Sequence, residues 1–129
     1  MKLFKRVGCA AFLLAGCSQS TPEPTLVGIW TRSELTWTIT PLGGASSTFH
    51  ETSNPPAYQF EANGTFTYRR SGQPITAGTY GYSGTTLTIR YPNNTRVTSV
   101  EELSARRLVL LETSESPLNR IETTETLVR

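Results

Sequence analysis

From Leu26 onward Thr, Val, Ile and aromatic residues dominate, Gly and Asn recur at short intervals, and no stretch sustains a helical period. That pattern predicts antiparallel β-structure throughout. Residues paired across an antiparallel ladder share a face, so the aromatic positions register the hairpins. A two-residue Asn63-Gly64 turn would split the aromatics of Tyr58–Tyr68 between faces. A three-residue Ala62-Asn63-Gly64 loop, with Gly64 left-handed in a G1 bulge, pairs Phe60 with Phe66 and Tyr58 with Tyr68, and is preferred. In Tyr80–Ile89 a two-residue Gly84-Thr85 turn of type II′ pairs Tyr82 with Leu87 and Tyr80 with Ile89. The same register sets Gly78 against Tyr91, leaving bare backbone under the ring.

A third hairpin joins Arg96–Glu102 to Arg107–Glu112, and Arg120–Arg129 forms the last strand. The run Leu108–Leu111 is apolar on both faces and leaves its register open. Leu26–Ser33 and Leu35–Thr40 read as one first strand, bent or broken near Ser33-Glu34. Between it and Tyr58 lies Pro41–Pro56, rich in Gly, Ser and Pro, a candidate mobile lid. Eight or nine short strands with one aromatic face close most economically into an up-and-down antiparallel β-barrel of about eight strands. An open β-sandwich is the alternative.

The N-terminus follows a different pattern. Met1–Arg6 is a positive segment and Val7–Ala15 an apolar one, together a signal peptide over residues 1–16 that is too short to span a membrane stably. Leu14-Ala15-Gly16-Cys17 resembles the lipobox of bacterial lipoproteins, which implies lipidation of Cys17 and a mature chain that begins there. Residues 17–25 form a polar tether with Pro22 and Pro24, and 26–129 the folded domain. In the lipoprotein class, Ser18 after the cysteine points to the outer membrane, periplasmic or surface-facing.

Removal of Lys2, Lys5 and Arg6 leaves nine arginines against ten glutamates, a net charge of −1, which disfavours nucleic acid as a partner. Cys9 leaves with the signal and Cys17 is consumed by lipid, so no disulfide is available. After residue 16 there is no Lys, Asp or Met, and His50 is the only histidine. The usual residues of acid–base, Schiff-base and metal chemistry are therefore scarce, and neither an enzymatic role nor a cofactor is expected.

Leu26-Val27-Gly28-Ile29-Trp30 resembles the Gly-x-Trp signature of the first lipocalin strand. Phe60-Glu61-Ala62-Asn63-Gly64-Thr65-Phe66, Ala77-Gly78-Thr79-Tyr80, Leu87-Thr88-Ile89 and Leu103–Leu110 follow in the order seen in small bacterial lipocalin-like lipoproteins. The resemblance spans about residues 26–113. It implies a barrel closed near Trp30 and open at the other end for a small apolar ligand, with Gly28 and Trp30 structural at the closed end.

Tyr58, Phe60, Phe66, Tyr68, Tyr80, Tyr82 and Tyr91 are the candidate ligand-pocket residues, their hydroxyls able to orient a ligand in an apolar site. A barrel of this size can equally be filled by those side chains. The expected partners are accordingly the membrane, through the lipid on Cys17, and either a small hydrophobic ligand or another envelope protein. His50-Glu51 reads as a solvated loop pair, Glu101-Glu102 as carboxylates on opposite faces, and Arg69-Arg70 and Arg106-Arg107 as scattered surface charge. Glu122 and Glu125 give the C-terminal segment no comparable focus.

Overall fold

The computed structural model describes residues 25–129; the segment expected to be a signal peptide, Cys17 and the expected tether as far as residue 24 lie outside them. Nine antiparallel strands run β1(Gly28–Pro41), β2(Ser47–Glu51), β3(Ala57–Phe60), β4(Thr65–Arg69), β5(Thr76–Ser83), β6(Thr86–Arg90), β7(Thr95–Leu103), β8(Arg107–Glu115) and β9(Asn119–Val128). β1 pairs with β3 on one side and β9 on the other, so eight strands close into an up-and-down barrel and the sandwich alternative is excluded.

The hairpin registers are those the aromatic positions require. Phe60 faces Phe66 and Tyr58 faces Tyr68. The Glu61 N–H donates to the Thr65 carbonyl at 2.9 Å, and Gly64 has a φ of 92°, which together define the three-residue loop. Tyr82 faces Leu87 and Tyr80 faces Ile89. Gly84 has a positive φ and Thr85 does not, as a type II′ turn demands. Gly78 lies opposite Phe66, and a Cβ there would sit 2.2 Å from the Arg90 carbonyl oxygen. The Phe66 and Tyr91 rings meet edge to face nearby, with centroids 5.7 Å apart.

Leu26, Trp30, Phe60, Phe66, Leu87, Ile89, Leu108, Leu110 and Leu127 pack together as a buried core that fills the closed half of the barrel. Across the closed end, Trp30 Nε1 donates to the Leu26 carbonyl at 2.9 Å. The Arg129 guanidinium lies 4.1 Å from the centre of the Trp30 ring and donates to the Val27, Thr25 and Ala105 carbonyls. Gly28 has a φ of 137°, and a Cβ there would come within 2.8 Å of that guanidinium. The glycine of Gly-x-Trp thus makes room for the C-terminal arginine.

One expectation is resolved and another corrected. The first strand is bent where the sequence placed the irregularity and is not broken, with a register shift between Arg32 and Glu34. This bulge at Ser33 brings Leu35, Trp37 and Ile39 onto the face that carries Trp30 and Arg32. Pro41–Pro56 contains β2, paired to the upper half of β1 from Leu35↔Glu51 to Ile39↔Ser47, and is not an unstructured lid. β2, upper β1, β9 and β8 make a four-stranded flap beyond the barrel mouth. Its outer face is polar, with Thr36, Thr38, Thr48 and His50. Its inner face continues the barrel interior with Leu35, Trp37, Ile39, Phe49 and Ile121. Trp37 and Phe49 stack there at 5.5 Å.

Candidate ligand site

Above the filled core lies a layer of charged and phenolic groups. Inward positions two residues from Trp30 on β1, opposite Ile89 on β7, and on β9 deliver Arg32, Arg96 and Glu125 to it. Glu125 is only 2 % exposed. It accepts from the Tyr58 hydroxyl at 2.5 Å, from Arg96 Nη2 at 3.1 Å and from Arg32 Nη1 at 3.4 Å. A buried carboxylate is tolerable because three donors, two of them cationic, replace its hydration. Two further carboxylates approach from the rim: Glu112 lies 3.4 Å from Arg96 Nε, and Glu51 lies 3.8 Å from Arg32 Nη2.

Burial, reinforced by the adjacent Glu125 charge, holds the Tyr58 hydroxyl well above the usual phenol range, so it remains a donor. Burial likewise raises Tyr91, against the opposing pull of Arg96. For Arg96, burial favours the neutral form, but the carboxylates of Glu125 and Glu112 outweigh it and hold the guanidinium charged more firmly than in water.

On this layer rests an open cup of about 530 Å³, lined by Tyr58, Tyr68, Thr76, Tyr91, Pro92, Asn93, Asn94 and Arg96. The β3–β4 hairpin supplies two of the rings and the β6–β7 turn the third. Smaller grooves of about 360 Å³ at the closed end and 280 Å³ between the flap's two turns carry fewer convergent polar groups.

The seven predicted pocket aromatics divide three ways. Tyr58, Tyr68 and Tyr91 line the cup. Phe60 and Phe66 are buried core. Tyr80 and Tyr82 border the closed-end groove, where the Tyr80 hydroxyl donates to the Glu61 carbonyl at 2.7 Å. Among the other candidates, His50 Nδ1 lies 3.2 Å from Thr36 Oγ1 on the outer flap face, and Glu51 turns to the inner face toward Arg32. Glu101 and Glu102 are both exposed at a bulge in β7, and Glu102 pairs with Arg107. Glu125 is the largest departure: read in sequence as an unfocused tail residue, it is the hub of the site. Strand parity would have found it, since it stands two residues before the apolar Leu127 on β9. Among the described residues no three His, Cys, Asp or Glu side chains come together as a metal-binding group.

A family model for the lipocalin-like domain matches residues 26–110. A lipocalin-like protein from Bacteroides uniformis, known from its crystal structure, is similar in fold with a TM-score of 0.50 at 18% identity, the match covering 81% of this chain and 97% of that one. No curated protein matches significantly. With the closed eight-stranded barrel and its open cup described, the family match gives the assignment: the chain belongs to the lipocalin-like domain family.

Proposed function

We propose that this protein is a lipid-anchored lipoprotein of the bacterial cell envelope, at the outer membrane, whose barrel holds a small, largely apolar molecule at its open end. One observation carries the binding reading: an aromatic-walled cup of about 530 Å³ stands on a polar floor, above a core already filled by its own side chains. The ligand therefore sits in the mouth and not in the closed half. Binding is favoured over catalysis because the titratable groups of the floor are engaged with one another, Glu125 by three donors at once.

The anchoring reading rests on Leu14-Ala15-Gly16-Cys17. Arg129 ties Thr25 to the closed end of the barrel. Mass analysis of the N-terminal peptide tests this part. It should begin at Cys17 with a diacylglycerol attached, and an unmodified N-terminus would refute it. For the cup, native mass spectrometry of the protein purified from its own envelope, followed by organic extraction, should show a reproducible small apolar molecule. A clean apo mass would count against the carrier reading.

The second reading, a contact with another envelope protein, is favoured by the flap tip alone. There Leu42 and Leu118, 83 % and 76 % exposed, stand on adjacent turns joined by the Leu42 N–H to the Leu118 carbonyl at 2.9 Å.

A further inference from the structure

β2 ends the sheet: upper β1 pairs with it on one side, and no strand of the described residues lies on the other. The main-chain groups on that side are an open template for a further strand. The flap has a second free edge on β8 beyond Leu111, the last residue that β7 pairs with. The two edges are chemically unlike. There β8 carries Glu112 and Glu115, charges that deter strand addition. β2 has no Lys, Arg or Pro, and its one carboxylate, Glu51, is engaged with Arg32 at 3.8 Å. At its middle, Phe49 stacks on Trp37 with centroids 5.5 Å apart yet remains 43 % exposed.

The strand's own symmetry says what fits this edge. Ser47–Glu51 is five residues long with Phe49 at its centre, so an antiparallel two-fold through Phe49 pairs all five with a second copy. Any other two-fold register leaves some of them unpaired. Opposite residues share a face, which sets Phe49 against Phe49 on the inner side, Thr48 against His50 on the outer side, and Ser47 against Glu51. No like charges meet. The ladder between β1 and β2 already contains both main pairings: an aromatic pair at Trp37–Phe49, and a threonine–histidine pair with Thr36 Oγ1 3.2 Å from His50 Nδ1. We propose that β2 is a homodimerisation edge, through which two four-stranded flaps join antiparallel into one continuous sheet. The aromatic row of Trp37 and Phe49 then continues through Phe49 and Trp37 of the second copy, on the face that extends each barrel interior. A five-residue edge is a small interface, so the dimer is reversible and fills with concentration. The inference is independent of what the cup holds.

The test uses residues 18–129, which contain the whole closed barrel and its core and no cysteine. In sedimentation equilibrium the mass should rise with concentration from one chain to two and stop there. Phe49→Lys, which sets like charges opposite one another on the two-fold, should weaken dimerisation at least about tenfold. Thr113→Lys, on the other edge, should leave it unchanged. Single cysteines read the register and keep the test open should the lysine variant fail to fold. With diamide as oxidant, Phe49→Cys should cross-link to its own copy, because directly paired Cα atoms stand about 5 Å apart. Ser47→Cys should not, its two copies lying about 13 Å apart along the strands. Amide exchange at 47–51, fast in the monomer, should slow as the dimer fills. A chain that stays monomeric at every concentration, or a dimer that Phe49→Lys leaves intact, overturns the inference. So does growth beyond two copies, the mark of β2 pairing head to tail with β8. Cross-linking at residue 47 and not at 49 overturns the two-fold through Phe49.

Discussion

Glu125 occupies a position on β9 where parity calls for an apolar side chain, and it is tolerated because Tyr58, Arg96 and Arg32 converge on it. Removing the carboxylate leaves the buried Arg32 and the half-buried Arg96 without their shared counter-charge, so Glu125→Ala should cost about 3–5 kcal/mol in urea unfolding. Glu122→Ala, three residues earlier in a surface pair with Arg120, should stay within about 0.5 kcal/mol. Equal losses would show that the buried network is not a structural hub. Glycines offer a second contrast. Gly78→Ala forces a Cβ to 2.2 Å from the Arg90 carbonyl oxygen, whereas a Cβ at Gly81 meets nothing within 4 Å. The first should lose about 1–3 kcal/mol and the second should not destabilise the fold, measured by the same method. At this scale the aromatic registers were legible, because large apolar side chains report which face is buried. Of the charged floor, Glu125 is marked by its parity with Leu127 on β9, whereas Arg32 and Arg96 read as surface residues until the strands around them are assembled.

Among the elements, the hairpins were the most legible part of the chain: turn chemistry at Asn63-Gly64 and Gly84-Thr85 and the flanking aromatics point to one register each. β2 was hidden because its five residues are embedded in Gly, Ser and Pro. Only its alternation, Thr48-Phe49-His50 against Thr36-Trp37-Thr38, betrays the pairing. The bulge at Ser33 shifts the parity of β1 midway, so a reading by simple alternation separates Trp37 from Trp30. β2 is held by one neighbour and its residues are mostly exposed. Hydrogen exchange by mass spectrometry should therefore find 47–51 exchanging well before β4 and β6, which have a strand on each side. Equal protection would mean that the flap unfolds only with the barrel.

For the whole molecule, closure is the seam between β1 and β9, which joins the first and last strands of the described residues and leaves the flap as the continuation of the barrel wall on one side. A barrel was legible from strand number and the lack of any helical period. Whether it is hollow was not, since that depends on how Trp30, Phe60 and Phe66 fill the space inside the ring of strands. The buried phenol of Tyr58 and the half-buried one of Tyr91 make stability fall at alkaline pH. Tyr58 and Tyr91 keep their protons in the folded barrel above the usual phenol range, while the unfolded chain releases them near pH 10. The native state then binds more protons than the unfolded one, so stability is fully present below about pH 10 and falls as pH rises beyond it. Tyr58→Phe should flatten that fall, followed by urea unfolding across the alkaline range; an unchanged slope would assign it elsewhere.

The central claim is that the closed half is packed and the ligand lies in the mouth, on the floor made by Tyr58, Arg96 and Glu125. The most direct measurement is a titration of the isotopically labelled protein with decanoate followed by NMR. Shifts concentrated at Tyr58, Tyr68, Tyr91 and Arg96, with Phe60, Phe66 and Leu87 undisturbed, are the predicted result. Shifts centred on the packed core, or none anywhere, would contradict it.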